Sequence, residues 1–148
     1  MLLILGNQLF PPRFLPPPIT TAVFMAEDLG LCTYEKHHKQ KIVLFLAAMR
    51  AYADELRDAG YEVHYVTLDT ADTRPYTAKL ADALQGAADK HISHFEIEDK
   101  AMERQIVAFA AEAGLGREEI VSPMFTCSRQ DFSEFAADKS RLLMGDFY

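Results

Sequence analysis

Residues 33–65 read TYEKHHKQKIVLFLAAMRAYADELRDAGYEVHY, the pattern of one long helix, a glycine stop and a strand. Ile42, Phe45, Leu46, Met49, Tyr52 and Leu56 recur at steps of three and four, so they form a single stripe that needs a broad apolar surface to cover it. A sheet is the natural cover. Thr33 is expected to cap the helix, its hydroxyl accepting from the free N–H groups of the first turn, and Gly60 suits the left-handed residue that ends it. Just inside the expected start, Tyr34, His37, His38, Lys39 and Lys41 gather aromatic, imidazole and ammonium groups at the N–H-rich end, where anions and ligand oxygens are favoured. This is a candidate site, with a solvated basic first turn as the plain alternative.

Outward from that stretch, strands and helices alternate. LLIL at 2–5, ending in Gly6, is a short apolar run suited to a strand buried on both faces. A proline-rich segment with Pro11, Pro12, Pro16, Pro17 and Pro18 follows, which can be neither helix nor inner strand. AVFMA at 22–26 makes a second strand, with Glu27 and Asp28 at its carboxyl end. The spacing predicts further strands at 62–68, 92–97 and 119–122, and helices at 76–87 and 100–113. Ser128 is expected to cap a last helix carrying Phe132 and Phe135. This alternation calls for a parallel sheet with helices on both faces, and in such a sheet ligands bind outside the carboxyl ends of the strands. The expected rim is 6–8, 27–34, Asp69 and 96–100.

Of 148 residues, 49% are hydrophobic and 25% charged, enough to bury one domain's core. A net charge of −7 disfavours a chain that tracks nucleic-acid phosphates unless its positive charge is concentrated, and only 36–41 comes close. No apolar run reaches the length of a membrane span and the opening residues do not resemble a signal peptide, so a cytoplasmic protein is expected. Cys32 and Cys127 lack any metal or disulfide spacing and read as free thiols.

Several chemistries lack their residues. There is no G-x-G-x-x-G after the first strand, no G-x-x-x-x-G-K-[ST] and no G-x-S-x-G. The adjacent His37 and His38 would point about 100° apart on a helix, so they cannot grip one metal as an i, i+4 pair would. Asn7 and Gln8 can donate to and accept from a heterocycle edge, or they can tie down a loop. Glu96, Glu98 and Asp99 are compatible with a divalent-ion site or with a solvated strand exit.

The segments LGNQL (5–9), FMAED (24–28), TYEKHHKQK (33–41), AMRAYADEL (48–56), SPMF (122–125) and LLMGDFY (142–148) together resemble one family. It is the photolyase-related proteins of bacteria, the iron–sulfur cryptochrome and (6-4) photolyase branch of the cryptochrome/photolyase superfamily. The resemblance implies a Rossmann-like α/β fold, with a five-stranded parallel sheet in the order 3-2-1-4-5. Residues 1–141 would be the α/β domain and 142–148 the start of an interdomain segment. FAD, a four-cysteine iron–sulfur cluster and the lesion site would belong to a helical domain outside this sequence, which would be the partner of this one. Damaged DNA would be met only through that parent protein.

The family's α/β domain holds an antenna chromophore, 6,7-dimethyl-8-ribityllumazine in characterised members, and a flavin-like antenna is the related possibility. The implied contacts are Gly6, Asn7, Gln8 and Tyr34, and the expected pocket adds Glu27 and His38. The chain departs from the family pattern at Asn7, where members carry Asp, and at Leu31, where they carry Glu. Two further function classes stand beside the antenna reading: a non-catalytic interaction domain with a vestigial pocket, and a free-standing nucleotide-binding protein. Leu142, Leu143, Met144, Phe147 and Tyr148 are expected to leave apolar surface that a partner covers or that drives self-association.

Overall fold

A computed structural model describes residues 1–85 and 90–147. Its strands are β1 (Leu2–Leu3), β2 (Ala22–Ala26), β3 (Glu62–Val66), β4 (His91–Phe95) and β5 (Gly116–Ile120). All four pairings are parallel and the order is β3-β2-β1-β4-β5, the order the resemblance implies. The helices are α1 (Leu29–Thr33), α2 (Lys39–Asp58), α3 (Tyr76–Leu84), α4 (Lys100–Glu112) and α5 (Arg129–Ala136). No helix among the described residues is long and apolar enough to cross a membrane.

Strand periodicity builds the two layers of core. Leu2, Ile4, Val23 and Met25 face α2 and pack with Met49, Tyr52, Ala53 and Leu56. Their neighbours Leu3, Leu5, Phe24 and Ala26 face the other way and pack with Leu80 of α3 and Met102, Ile106 and Ala110 of α4. β1 is buried on both faces because it lies between β2 and β4. It is shorter than expected. The ladder continues through the Ile4 N–H to the Phe24 carbonyl, 3.0 Å, and then Gly6 and Asn7 turn the chain, with the Gln8 N–H donating to the Leu5 carbonyl at 2.8 Å.

The largest departure from expectation is the start of the long helix. Thr33 does not cap it: Thr33 ends α1, and its hydroxyl donates back to the Leu29 carbonyl at 2.7 Å. α1 is started by the Asp28 carboxylate, which accepts from the Leu31 N–H at 3.1 Å. α2 begins only at Lys39, where His38 Nδ1 accepts from the Gln40 N–H at 3.2 Å. Two capped helices thus replace one, because a buried cap residue at Asp28 nucleates a turn earlier than the apolar periodicity begins. Gly60, at φ 91°, ends α2 as expected.

Strand boundaries also shift. β5 lies at Gly116–Ile120 rather than at 119–122, and most of it is exposed. As an edge strand it pairs only with β4, so Arg117, Glu118 and Glu119 can sit in water, and its charge hides it from an apolar pattern. Ser128 caps α5 as expected, through a reciprocal pair with Asp131. The expected end of the third helix at 86–87 lies outside the described residues.

α3 is tied to the sheet by a buried ion pair, Lys79 Nζ to Asp28 Oδ2 at 2.9 Å, with side-chain exposures of 3% and 5%. Replacing Lys79 by Met should destabilise the chain by roughly 3–5 kcal/mol, because it strands a carboxylate in the interior. Adding Asp28→Asn, which keeps the helix cap, should recover much of that loss in denaturant unfolding. Equal stability of the single and double variants would contradict this account.

Candidate functional site

Three strands end at one edge, and each hands the chain to a turn that carries chemistry. β1 leads to Gly6 and Asn7, β2 to Glu27 and Asp28, and β4 to the segment 96–99. The order reverses about β1, since the chain builds outward to β3 and then returns to β4 on the other side. At that reversal lies a cleft of about 360 Å³, a position and size usual for ligand sites in open α/β sheets.

One wall of the cleft is the apolar stripe of α2. Met49, Tyr52 and Leu56 are buried against the sheet, but Ile42 and Leu46 are half-buried and Phe45 is 39% exposed. The stripe overhangs the sheet edge, and its first half, Ile42, Phe45, Leu46 and Met49, lines the cleft instead. Gly6 allows this close approach: a Cβ there would stand 2.8 Å from Met49 Sδ. Tyr76 and Met102, from the first turns of α3 and α4, supply the facing wall, with Leu31, Tyr34, His37 and Lys41 completing the lining.

The charges of the rim are largely spent on structure. Glu27 is 1% exposed, and both its oxygens are saturated. Oε1 accepts from Arg50 Nε at 2.6 Å and the Tyr65 hydroxyl at 2.7 Å; Oε2 accepts from Arg50 Nη2 at 2.8 Å and the Leu68 N–H at 2.7 Å. Burial alone would raise its carboxyl, but these donors outweigh burial and hold it below the usual value. Burial, together with the bond to Glu27, in turn pushes the Tyr65 hydroxyl up. Asp28 is consumed by Lys79 and the α1 cap, and Asp99 caps α4 by accepting from the Ala101 and Met102 N–H groups.

Of the residues expected at a pocket, Gly6, Asn7, Glu27 and Tyr34 line the cleft. Gln8 and His38 do not. Gln8 is fully buried, with Nε2 donating to the Glu96 carbonyl at 2.7 Å, so it locks the turn after β1 to the exit of β4. His38 is exposed and spent as the α2 cap, while His37 lines the cleft and packs edge-on to Tyr34 at 5.3 Å. Tyr76 and Met102 escaped notice as lining residues, whereas His37 and Lys41 belong to the cluster expected at the start of the long helix. The available signal for Tyr76 was its place directly after Pro75 at a helix start, which puts it near the ligand edge of the sheet.

The acidic run is likewise occupied. Glu96 accepts from the Ser122 N–H at 3.0 Å, and Glu98 accepts from Asn7 Nδ2 at 3.2 Å. Among the described residues no group of three or more His, Cys, Asp or Glu is arranged to hold a metal ion. Cys32 and Cys127 are free thiols, as expected.

A family model described as deoxyribodipyrimidine photo-lyase-related protein matches residues 2–148. The chain belongs to this family. Along its whole length this photo-lyase-related chain is similar to a (6-4) photolyase of Agrobacterium fabrum (strain C58 / ATCC 33970), with 29% identity over 152 residues. It spans 30% of that relative's length.

Within the photo-lyase-related chain, Glu27 should make stability depend on pH. Its folded carboxyl lies below the ordinary 4.5, so its contribution is complete above that value and is lost as pH falls through the lower folded one. At neutral pH, Glu27→Gln should cost ~1.5–3 kcal/mol, the scale of hydrogen bonds to a charged group. Thermal midpoints of the two proteins should converge as pH falls from about 5 towards 3. A difference that stays constant over that range would show that Glu27 is held neutral.

Proposed function

We propose that this chain is the antenna-type α/β domain of a light-dependent DNA photolyase or cryptochrome-related flavoprotein. Its cleft would hold a flat heterocycle, 6,7-dimethyl-8-ribityllumazine or a flavin-like chromophore. The observation that carries this reading is an apolar cleft at the strand-order reversal of a chain that belongs to the photo-lyase-related family. The bound chromophore would absorb light and pass excitation to FAD. DNA-repair lyase activity, FAD and an iron–sulfur cluster would reside in the helical domain of the parent protein, which is also the proposed partner.

The chemistry of the cleft fits an uncharged ring better than a nucleotide. Glu27 is neutralised by Arg50 and Asp28 by Lys79, so neither rim carboxylate is free for a cation. The glycine-rich loop that would cradle a polyphosphate is missing after β1. Tyr34, 65% exposed beside His37, offers a ring face for stacking. The Tyr76 hydroxyl is buried without a hydrogen-bond partner among the described residues, and a heteroatom of the ligand would satisfy it. The absent carboxylate at Asn7 is consistent with an amide that binds Glu98 and adds no charge to the cleft.

The apolar surface at the end of the chain suits the proposed helical partner. Leu142 and Leu143 are each 48% exposed, whereas Phe147 packs on Phe132 and Phe135 at 5.2 and 4.9 Å. The side chain of Met144 and all of Tyr148 lie outside what is described.

Titrating the purified chain with 6,7-dimethyl-8-ribityllumazine, followed by its fluorescence, tests the antenna reading. Tyr34→Ala should weaken binding roughly two- to twelvefold, through loss of a stacking surface of about 0.5–1.5 kcal/mol. His91→Ala, at the amino end of β4, should leave affinity unchanged. No binding of lumazine or flavin, with tight binding of ATP, would replace this reading by the nucleotide-binding one; equal losses from both substitutions would misplace the site.

A further inference from the structure

The face of α2 that points away from the sheet has a pattern of its own. Gln40, Val43, Ala47, Ala51, Asp54 and Asp58 recur at steps of three and four, so they form a nearly straight row along the helix, and all six are exposed. Val43 and Leu44, 65% and 67% exposed, make the middle of this face apolar, and the small Ala47 and Ala51 beside them let another helix approach closely. Charge is segregated towards the two ends. Lys39 and Lys41 stand at the start of α2 and Glu55 and Asp58 at its finish, and none of the four forms an ion pair among the described residues. The other charges of the face are already used: Arg57 is paired with Asp54 at 2.7 Å and Arg50 with Glu27 at 2.6 Å.

We propose that this face docks a second copy of the chain, the two α2 helices packing antiparallel about a two-fold axis at the middle of the helix. A surface that is basic at one end, apolar in the middle and acidic at the other is complementary to itself once reversed, as a two-fold contact requires. Antiparallel packing sets Lys39 of each copy near Asp58 of the other and Lys41 near Glu55, so each opposite-charge pair occurs twice. Parallel packing would oppose lysine to lysine and carboxylate to carboxylate. The helix dipoles favour the same orientation, and the steps of three and four give a seam into which side chains of the other helix interdigitate. The 20 residues of α2 make a contact about 30 Å long. That is small for a specific interface, so the dimer is a weak one, with a dissociation constant on the order of 10 μM. A nucleic acid or an anionic lipid surface would attract the lysines but repel Glu55 and Asp58 on the same helix. This surface lies on the side of α2 away from the sheet, and the inference does not depend on the antenna reading.

Sedimentation equilibrium of the 148-residue chain over a range of concentrations should show its mass rising from 16.7 kDa towards twice that value. The rise should weaken at high salt. Ala47→Glu places a good helix former at an exposed position, and should abolish the rise while keeping the thermal midpoint. Lys39→Glu and Asp58→Lys each suit the helix dipole, so the fold is kept. Either variant alone should self-associate about tenfold more weakly, because like charges then face each other twice. Mixed in equal amounts, the two variants should regain the affinity of the unmodified chain, since every facing pair is again of opposite charge. A chain that stays monomeric at every concentration would overturn the proposal. A dimer indifferent to Ala47→Glu would overturn it too, by placing the contact elsewhere, and failure of the mixture to recover would overturn the antiparallel arrangement. Binding to phosphatidylglycerol vesicles by a chain that stays monomeric would replace the second copy by a lipid surface.

Discussion

The carboxylate of Glu27 is the constraint on which the arrangement of the ligand edge depends. It sits at the end of β2 and holds Arg50 of α2, Tyr65 of β3 and the backbone beyond β3 in one cluster of four hydrogen bonds. The next residue, Asp28, points to the opposite face, as strand alternation requires, and binds Lys79 of α3 while capping α1. Two consecutive acidic residues thus clamp both helical layers onto the same strand end. Because each is paired and hydrogen-bonded, the burial cost of its charge is offset locally.

That use of charge shapes the chemistry left for a ligand. With Glu27 and Asp28 already paired, the surface that remains is mainly apolar and aromatic, with Lys41, His37 and Asn7 as polar groups in the lining. The overhang of α2 has a similar origin. Its stripe is longer than the sheet edge it covers, so the residues beyond the edge become a wall instead of core. The glycine at the end of β1 lets that wall approach the strand closely.

The fold was legible because its signals are local and repeated. Apolar strands of the inner sheet, glycines after helices and a capping serine each follow from one or two positions, and their alternation leaves few topologies. Signals failed where a residue's role depended on a distant partner. Asp28 reads as a strand exit until Lys79, far along the chain, is seen to bury it and make it a helix cap. β5 reads as a strand at 119–122 rather than at Gly116–Ile120, because an edge strand that carries Arg117, Glu118 and Glu119 in water has no apolar pattern to mark its start.

By itself the sequence determined the α/β class and the carboxyl edge at which the cleft lies, since these follow from periodicity, breakers and strand direction, and the family resemblance added Gly6, Asn7 and Tyr34 to its expected lining. Only the tertiary structure decided which side chains remain free to meet a ligand. Gln8 spends its amide N–H on a turn lock and His38 its Nδ1 on a helix cap, and Glu27 lines the cleft with its oxygens already filled. Tyr76 looks like an ordinary helix-start aromatic until folding buries its hydroxyl beside the cleft without a hydrogen-bond partner among the described residues. The physical reason is that hydrogen-bonding capacity is a property of a residue, whereas its availability is a property of everything packed around it.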